Sequence, residues 1–137
     1  MNRIVLQTSL IAAALFTLFV STAMAGGAVA ISAPANGATV SSPVKVCLQV
    51  VGVQVEPAKK GVNAGRGHHH ILVDAGLPQD LSKPIGKDAQ HIHMGDGSTC
   101  KEVKMGSGQH VIRTLFAQGN HVPYNPPLTA TVIVNVK

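Results

Sequence analysis

Aromatic residues are scarce in this chain. Tryptophan is absent, and beyond residue 25 the aromatic side chains are Phe116 and Tyr124. Stacking platforms for bases and aromatic cages for quaternary amines need more rings than these two, so we expect neither function. Beyond residue 25, which leaves out Arg3, the chain has ten Lys and Arg residues and six Asp and Glu residues. The basic residues are scattered along the sequence rather than clustered. We therefore expect no nucleic-acid partner.

Motifs of nucleophilic and phosphate chemistry are also missing. The sequence contains no Gly-x-Ser-x-Gly turn and no phosphate-binding loop. Its six acidic residues are dispersed, whereas glycoside hydrolysis requires paired carboxylates. A metal-dependent enzyme would need an open coordination position beside a pocket, and no general base is evident for one. We expect that the protein is not an enzyme.

Cysteine is limited to Cys47 and Cys100, which are 53 positions apart. Neither belongs to a Cys-x-x-Cys pair, and we favour a disulfide between them over the alternative of two thiolate ligands to a soft metal. In the chain-entropy description such a bridge contributes about 4 kcal/mol. Disulfides persist in oxidising compartments, which agrees with the signal peptide that residues 1–25 predict.

Residues 1–25 have the features of a signal peptide. Arg3 gives a basic start, an apolar stretch covers residues 4–20, and Ala23-Met24-Ala25 is a small-x-small cleavage signal. A retained membrane anchor is the alternative, although the apolar stretch is near the short limit for a span. We expect a single domain over residues 26–137, located in the periplasm or secreted, without stable membrane insertion after cleavage.

The rest of the chain reads as short strands between turns. Val44, Val46 and Leu48 alternate with other residues at the period of a half-buried strand. The segment Gly95-Asp96-Gly97-Ser98 predicts a hairpin between a strand at His91–Met94 and a return strand at Thr99–Met105. Residues 75–87 are predicted to form a long exposed loop. About seven short strands and no helix predict an all-β, immunoglobulin-like β-sandwich.

The richest chemical signal is histidine, with seven residues in a few short motifs. Two His-x-His pairs, His68/His70 and His91/His93, lie on predicted strands. Residues two apart on a strand point the same way, roughly 6.6 Å apart, so each pair offers two imidazoles to one ion. A single such pair is often accidental, but two of them together favour a metal site.

The predicted ligands share nitrogen or carboxylate donors close to these motifs: His68, His70, His91, His93, His121 and Asp74. Asp74 would either bind the metal directly or orient a ligand imidazole. Nitrogen donors suit copper(II), zinc or nickel, and affinity generally peaks at copper, so copper is predicted first and zinc second. His69 should point to the opposite strand face, and His110 is more typical of a structural histidine. Met94 and Met105 are more typical of packing than of thioether ligation.

At these motifs the chain resembles a family of small secreted bacterial domains of unknown function, family 4399. The resemblance covers about Val44 to Val136. It rests on three motifs in order: Gly67–Asp74, His91–Gly97, and Gly108–His110 followed by Gly119–Pro127. It implies an exported β-domain and brings no settled activity with it.

Two departures from the family pattern concern possible ligands. The family tends to have Phe in place of Met94, and often a further His in place of Tyr124, which removes a nitrogen donor here. The two cysteines do not resemble family features.

These observations lead to two hypotheses. The first is an exported domain that binds a transition metal, copper before zinc, for handling or delivery, with another periplasmic protein as a candidate partner. The second is a structural or protein-interaction module in which the histidines form a metal-free hydrogen-bond network. The sequence leaves open the metal, the number of sites, the oligomeric state and whether the two His-x-His strands are neighbours.

Overall fold

The computed structural model describes residues 26–137, so the predicted signal peptide over residues 1–25 lies outside the described residues. Within residues 26–137 no helix is long and apolar enough to cross a membrane. This part of the chain contains nine strands and a short 3-10 helix: β1 (Ala28–Ala33), β2 (Thr39–Val40), β3 (Val44–Val51), β4 (Gln54–Val55), the helix Ala58–Lys60, β5 (Arg66–Val73), β6 (His91–His93), β7 (Cys100–Val103), β8 (Gly108–Ala117) and β9 (Thr129–Val136).

The strands form two sheets. The smaller sheet has the order β1-β3-β7, and the larger has the order β2-β9-β8-β5-β4, with β6 also pairing with β5. Most neighbours are antiparallel; β2 with β9 and β4 with β5 are parallel. The prediction of an all-β fold is confirmed, and the two sheets fit a β-sandwich.

The main core lies between the sheets. Val44, Val46 and Leu48 of β3 are buried at alternate positions, as the period-two pattern predicted. They pack in one cluster with buried residues of the larger sheet, such as Ile71 and Ile112. Met94 and Met105 belong to the same cluster, so both methionines contribute to packing. The inward face of the larger sheet is therefore the face that carries Ile71.

The predicted hairpin around Gly95–Ser98 is wrong. A turn is present, because the Gly97 N–H donates to the Met94 carbonyl oxygen at 3.3 Å, but the strands on its two sides lie in different sheets. β6 pairs with β5, whereas β7 pairs with β3. The turn is thus a connection between sheets, and the partners of β6 and β7 are set by contacts distant in sequence.

The disulfide prediction is confirmed. Cys47 on β3 and Cys100 on β7 are direct register partners, with 4.1 Å between their Cα atoms, and their sulfurs are bonded. Neither cysteine is therefore a free thiolate ligand. The bridge joins two of the three strands of the smaller sheet, while the histidine motifs of β5 and β6 lie on the larger one.

The outward face of the larger sheet is covered by loops rather than by a second sheet. Leu72, Leu115 and Ala117 on this face pack with Ile85, which comes from the loop at residues 74–90. The Ile85 N–H donates to the His121 carbonyl oxygen at 2.9 Å, which ties this loop to a second loop at residues 118–128. The sequence predicts a long exposed loop over residues 75–87, and the burial of Ile85 corrects this prediction at that position. The space beneath the two loops holds the histidines.

Candidate metal centre

Strand β5 carries three consecutive histidines whose side chains alternate between the two faces of the sheet. All three are buried, with at most 1% of their surface exposed. His69 lies on the inward face, where its ring meets Phe116 edge-on at 5.1 Å between centroids. His68 and His70 lie on the outward face, with 4.8 Å between their ring centroids. The alternation predicted from the sequence therefore separates His69 from the other two.

Strand β6 brings a third histidine to the outward face. His93 is the register partner of His70, and their ring centroids are 5.2 Å apart. The Nε2 atoms of His93 and His68 are 3.1 Å apart. The two His-x-His strands are thus neighbours.

His121 completes the group from the 118–128 loop. Its N–H donates to the Gln118 carbonyl oxygen at 2.8 Å, closing a tight turn, and its φ of 68° lies in the left-handed region. A non-glycine residue held there is strained, and such strain is concentrated at functional sites. The turn places His121 Nε2 at 3.1 Å from His93 Nε2. We call His68, His70, His93 and His121 the histidine cluster.

Two glycines make room for this arrangement. A Cβ atom at Gly95 would overlap the His93 imidazole, so the chain after β6 can approach that ring only without a side chain. A Cβ at Gly119, in the turn before His121, would overlap the Gly61 carbonyl oxygen. The close approach at Gly95 therefore bears directly on the position of the His93 ring, whereas the one at Gly119 concerns the turn that leads to His121.

The nitrogen separations fit a shared ion. Ligand atoms of His68, His70 and His93 all lie within 4.8 Å of one another, so these three histidines could hold a metal ion. Four nitrogens placed tetrahedrally at 2.0–2.1 Å from zinc would be separated by roughly 3.3 Å. The two Nε2 separations of 3.1 Å at His93 are close to that value.

Hydrogen bonding alone accounts poorly for His93. A neutral imidazole nitrogen has either one N–H or one in-plane lone pair. Its Nε2 nevertheless faces the Nε2 atoms of both His68 and His121 at 3.1 Å, and one of these contacts at most can be a linear hydrogen bond. In addition, the buried Nδ1 atoms of His68 and His70 have no hydrogen-bond partner within residues 26–137. Buried polar atoms without partners are costly, so hydrogen bonds among the described residues do not explain this arrangement of imidazoles.

Three of the cluster histidines, His68, His70 and His93, favour the neutral imidazole, which is the form that binds metal. Burial, followed by the charges of His93 and His121, lowers the pKa of His68 to about 4. Burial and the neighbouring histidines lower the pKa of His70 to about 2. Burial also lowers the pKa of His93, and His121, Lys87 and Lys101 act in the same direction.

The predicted position of Asp74 is corrected by the structure. Asp74 has a φ of 54°, which turns the chain away at the end of β5. Its carboxylate accepts hydrogen bonds from the Val111 N–H at 2.8 Å and from His110 Nδ1 at 2.7 Å. Burial opposes ionisation, but these hydrogen bonds together lower the pKa of Asp74. Asp74 therefore serves His110 rather than the cluster.

His91 also lies outside the cluster, contrary to its prediction as a ligand. The β5–β6 register pairs His91 with Leu72, beyond the last cluster histidine of β5. Its Nδ1 is 2.8 Å from an Asp88 carboxylate oxygen. Because of this register, His93 lies beside the pair His68/His70 and His91 does not. The fourth ring of the cluster comes from His121.

The other residues considered from the sequence have local partners. The Nδ1 of His69 is 3.5 Å from the Thr114 hydroxyl, and burial lowers its pKa to about 4. His110 contacts Asp74 and, through Nε2, the Gly106 carbonyl oxygen at 2.8 Å; these hydrogen bonds raise its pKa. The Tyr124 hydroxyl donates to the Arg66 carbonyl oxygen at 2.8 Å, away from the cluster.

The loop residues that line the cavity beside the histidine cluster were not predicted from the sequence. A cavity of about 230 Å³ adjoins the cluster and is lined by His70, Pro84, Ile85, Gly86, Lys87, His93 and His121. Four of these residues come from the 74–90 loop. The signal that could have revealed them is Ile85, the one β-branched apolar residue of the loop, between Pro84 and Gly86.

The sequence profile of a family described as a domain of unknown function, DUF4399, matches residues 46–137. This match covers well over half of the chain and includes all four cluster histidines. No curated protein and no solved structure matches the chain. The chain belongs to the DUF4399 family.

Proposed function

We propose that this DUF4399 domain binds a transition-metal ion through His68, His70, His93 and His121. The observation that carries the proposal is the convergence of four imidazoles. Within this group, the Nε2 atoms of His68 and His121 each lie 3.1 Å from the Nε2 atom of His93. The donor set is entirely nitrogen, and the cluster sits beneath two loops that are hydrogen-bonded to each other.

Copper(II) is the ion we propose first, and zinc second. Affinity of nitrogen sites for divalent ions generally rises to copper and then falls at zinc. No thiolate competes as a softer ligand, because both cysteines are in the disulfide. The disulfide also fits an oxidising compartment. We therefore propose export to the periplasm or beyond, and a role in metal handling or delivery to another protein rather than in catalysis.

The second candidate is a metal-free structural module. It is favoured by the same contacts at 3.1 Å, if His93 Nε2 forms its one hydrogen bond with His121 and packs against His68. Such a network would pin the 118–128 loop to strands β5 and β6. The two candidates differ in one measurable respect, because only the first makes the stability of the domain depend on a metal.

The test is metal binding by the chain without an affinity tag, measured with copper, zinc and nickel separately by competition with a chelator and by thermal shift. We expect one stoichiometric ion and a large upward shift of the melting temperature, since a ligand that binds only the folded state stabilises it. His68→Ala combined with His70→Ala should abolish both effects. His91→Ala combined with His110→Ala removes two histidines outside the cluster and is the matched control. Absence of metal binding and of any shift would support the structural module instead.

A further inference from the structure

The metal centre proposed above has one side that opens to a cavity. His68 is completely buried and does not line this cavity, whereas His70, His93 and His121 do. The remaining wall comes from Pro84, Ile85, Gly86 and Lys87 of the 74–90 loop. An ion held by the cluster would thus be closed on the sheet side and accessible from the loop side.

The loop that forms this wall is fixed in place. Ile85 is 8% exposed and packs with Leu72 and Leu115 on the outward face of the sheet. Its backbone N–H donates to the carbonyl oxygen of His121, a cluster residue. The cavity is therefore a built feature of the site, because its wall is tied to a cluster residue.

The charges around the site are not balanced by any carboxylate in the cavity wall. Four neutral imidazoles leave a divalent ion with its full charge of two, and the ammonium of Lys87 adds another. Of the carboxylates on neighbouring segments, Asp88 hydrogen-bonds His91 and Asp96 hydrogen-bonds Ser98, although the charge of Asp96 still acts on His93. A partly buried centre of this kind favours an added anion.

Size limits the anion. The cavity, at about 230 Å³, is below the range of roughly 300–1,000 Å³ typical of pockets for drug-sized ligands. It has room for several water molecules or for an anion of a few atoms.

We propose that the metal in this site keeps a coordination position open toward the cavity, where a small monovalent anion binds and is held by the Lys87 ammonium. This inference rests on the proposed metal site and adds an exogenous ligand to it. It assigns to Lys87 a role in anion binding, in which it contributes charge without contacting the metal.

The experiment is a titration of the copper(II)-loaded full chain with azide, followed by its ligand-to-copper charge-transfer absorption and by electron paramagnetic resonance. We expect a saturable band and an altered copper signal. Lys87→Met should weaken azide binding by about fivefold, the upper range for an exposed charge pair, without changing copper affinity. Lys83→Met is the matched control, because Lys83 is in the same loop but pairs with Asp80 and does not line the cavity.

The outcomes separate the two proposals. Copper affinity is measured first by chelator competition, and failure to bind copper would refute the metal site itself. If copper binds and azide leaves its spectra unchanged, the open position is refuted while the metal site stands. If azide binds equally well to the native protein and to the Lys87→Met variant, the role of Lys87 is refuted.

Discussion

Histidines on the two faces of the larger sheet have different surroundings. On the inward face, His69 is enclosed by the core and meets an aromatic ring and a hydroxyl group. On the outward face, His68 and His70 are equally buried but meet other imidazoles. The three residues are consecutive on one strand, so neither residue type nor burial distinguishes them.

The difference lies in what covers each face. The inward face packs against the smaller sheet, whose side chains are apolar and leave a histidine few polar partners. The outward face is covered by loops, which bring His121 and Lys87 over the sheet. Burial alone therefore does not distinguish the histidines that could hold a metal ion; the convergence of nitrogens from separate segments does.

The largest contrast is expected from leucine substitutions on the two faces. His70→Leu should lower metal affinity by more than about a hundredfold, since it removes a donor, and this exceeds the losses usual for residues that only support ligands. His69→Leu should leave metal affinity unchanged and should not greatly destabilise the fold, because it removes a buried Nε2 that has no partner within the described residues. Chelator competition and urea unfolding measure the two effects. Equal loss of affinity in both variants would contradict the distinction between the faces.

The pH dependence of the metal-free protein should report the buried histidines on both faces. The folded pKa of His69 is about 4, below its ordinary value of 6.5, so the unfolded chain binds a proton that the folded chain does not. Its contribution to stability is present above pH 6.5 and is lost as the pH falls toward 4. His69→Leu should reduce the slope of unfolding free energy against pH in this window by up to about 1.4 kcal/mol per pH unit.

The control for this slope is His110→Leu, measured by urea unfolding across the same window. The pKa of His110 is raised by Asp74, so its contribution is complete below the unfolded pKa and is lost only as the pH rises through the folded value. Its substitution should leave the slope between about pH 5 and pH 6 unchanged, above the range in which the Asp74 carboxyl titrates. An unaltered slope in His69→Leu would show that His69 does not resist protonation in the fold.

A smaller effect is expected from the glycine that contacts the cluster. Gly95→Ala places a methyl group where the His93 ring lies, so the ring must move and metal affinity should fall by about tenfold, as for other residues that position ligands. Gly106→Ala is the control, because no atom lies within 4 Å of the added carbon there. Isothermal titration with copper measures both, and an unchanged affinity in Gly95→Ala would mean that the ring position is not critical.

The smallest effect on metal binding should come from the smaller sheet. Removing the disulfide by Cys47→Ser with Cys100→Ser should lower the free energy of unfolding by about 2–4 kcal/mol. Metal affinity should remain within about twofold of the native value, because the bridge connects β3 and β7, neither of which carries a cluster histidine. If stability and metal affinity fell together, the result would show that the two sheets are energetically coupled.

Several features followed from local sequence. Alternation of Val44, Val46 and Leu48 determined a half-buried strand, and the same period separated His69 from His68 and His70. These are consequences of backbone geometry, because successive side chains of a strand point to opposite faces whatever the strand pairs with. The isolated cysteines likewise indicated their own pairing.

Membership of the site was decided by tertiary structure. The register of β5 with β6 selected His93 and excluded His91, although the two have the same local pattern. At Asp74 the backbone has a left-handed conformation that ends β5, and its side chain pairs with His110. His121 comes from a turn distant in sequence and contacts His93. Register and loop packing depend on contacts between segments far apart in sequence, so the sequence by itself determined which face each histidine could occupy, and only the folded chain decided which of them meet.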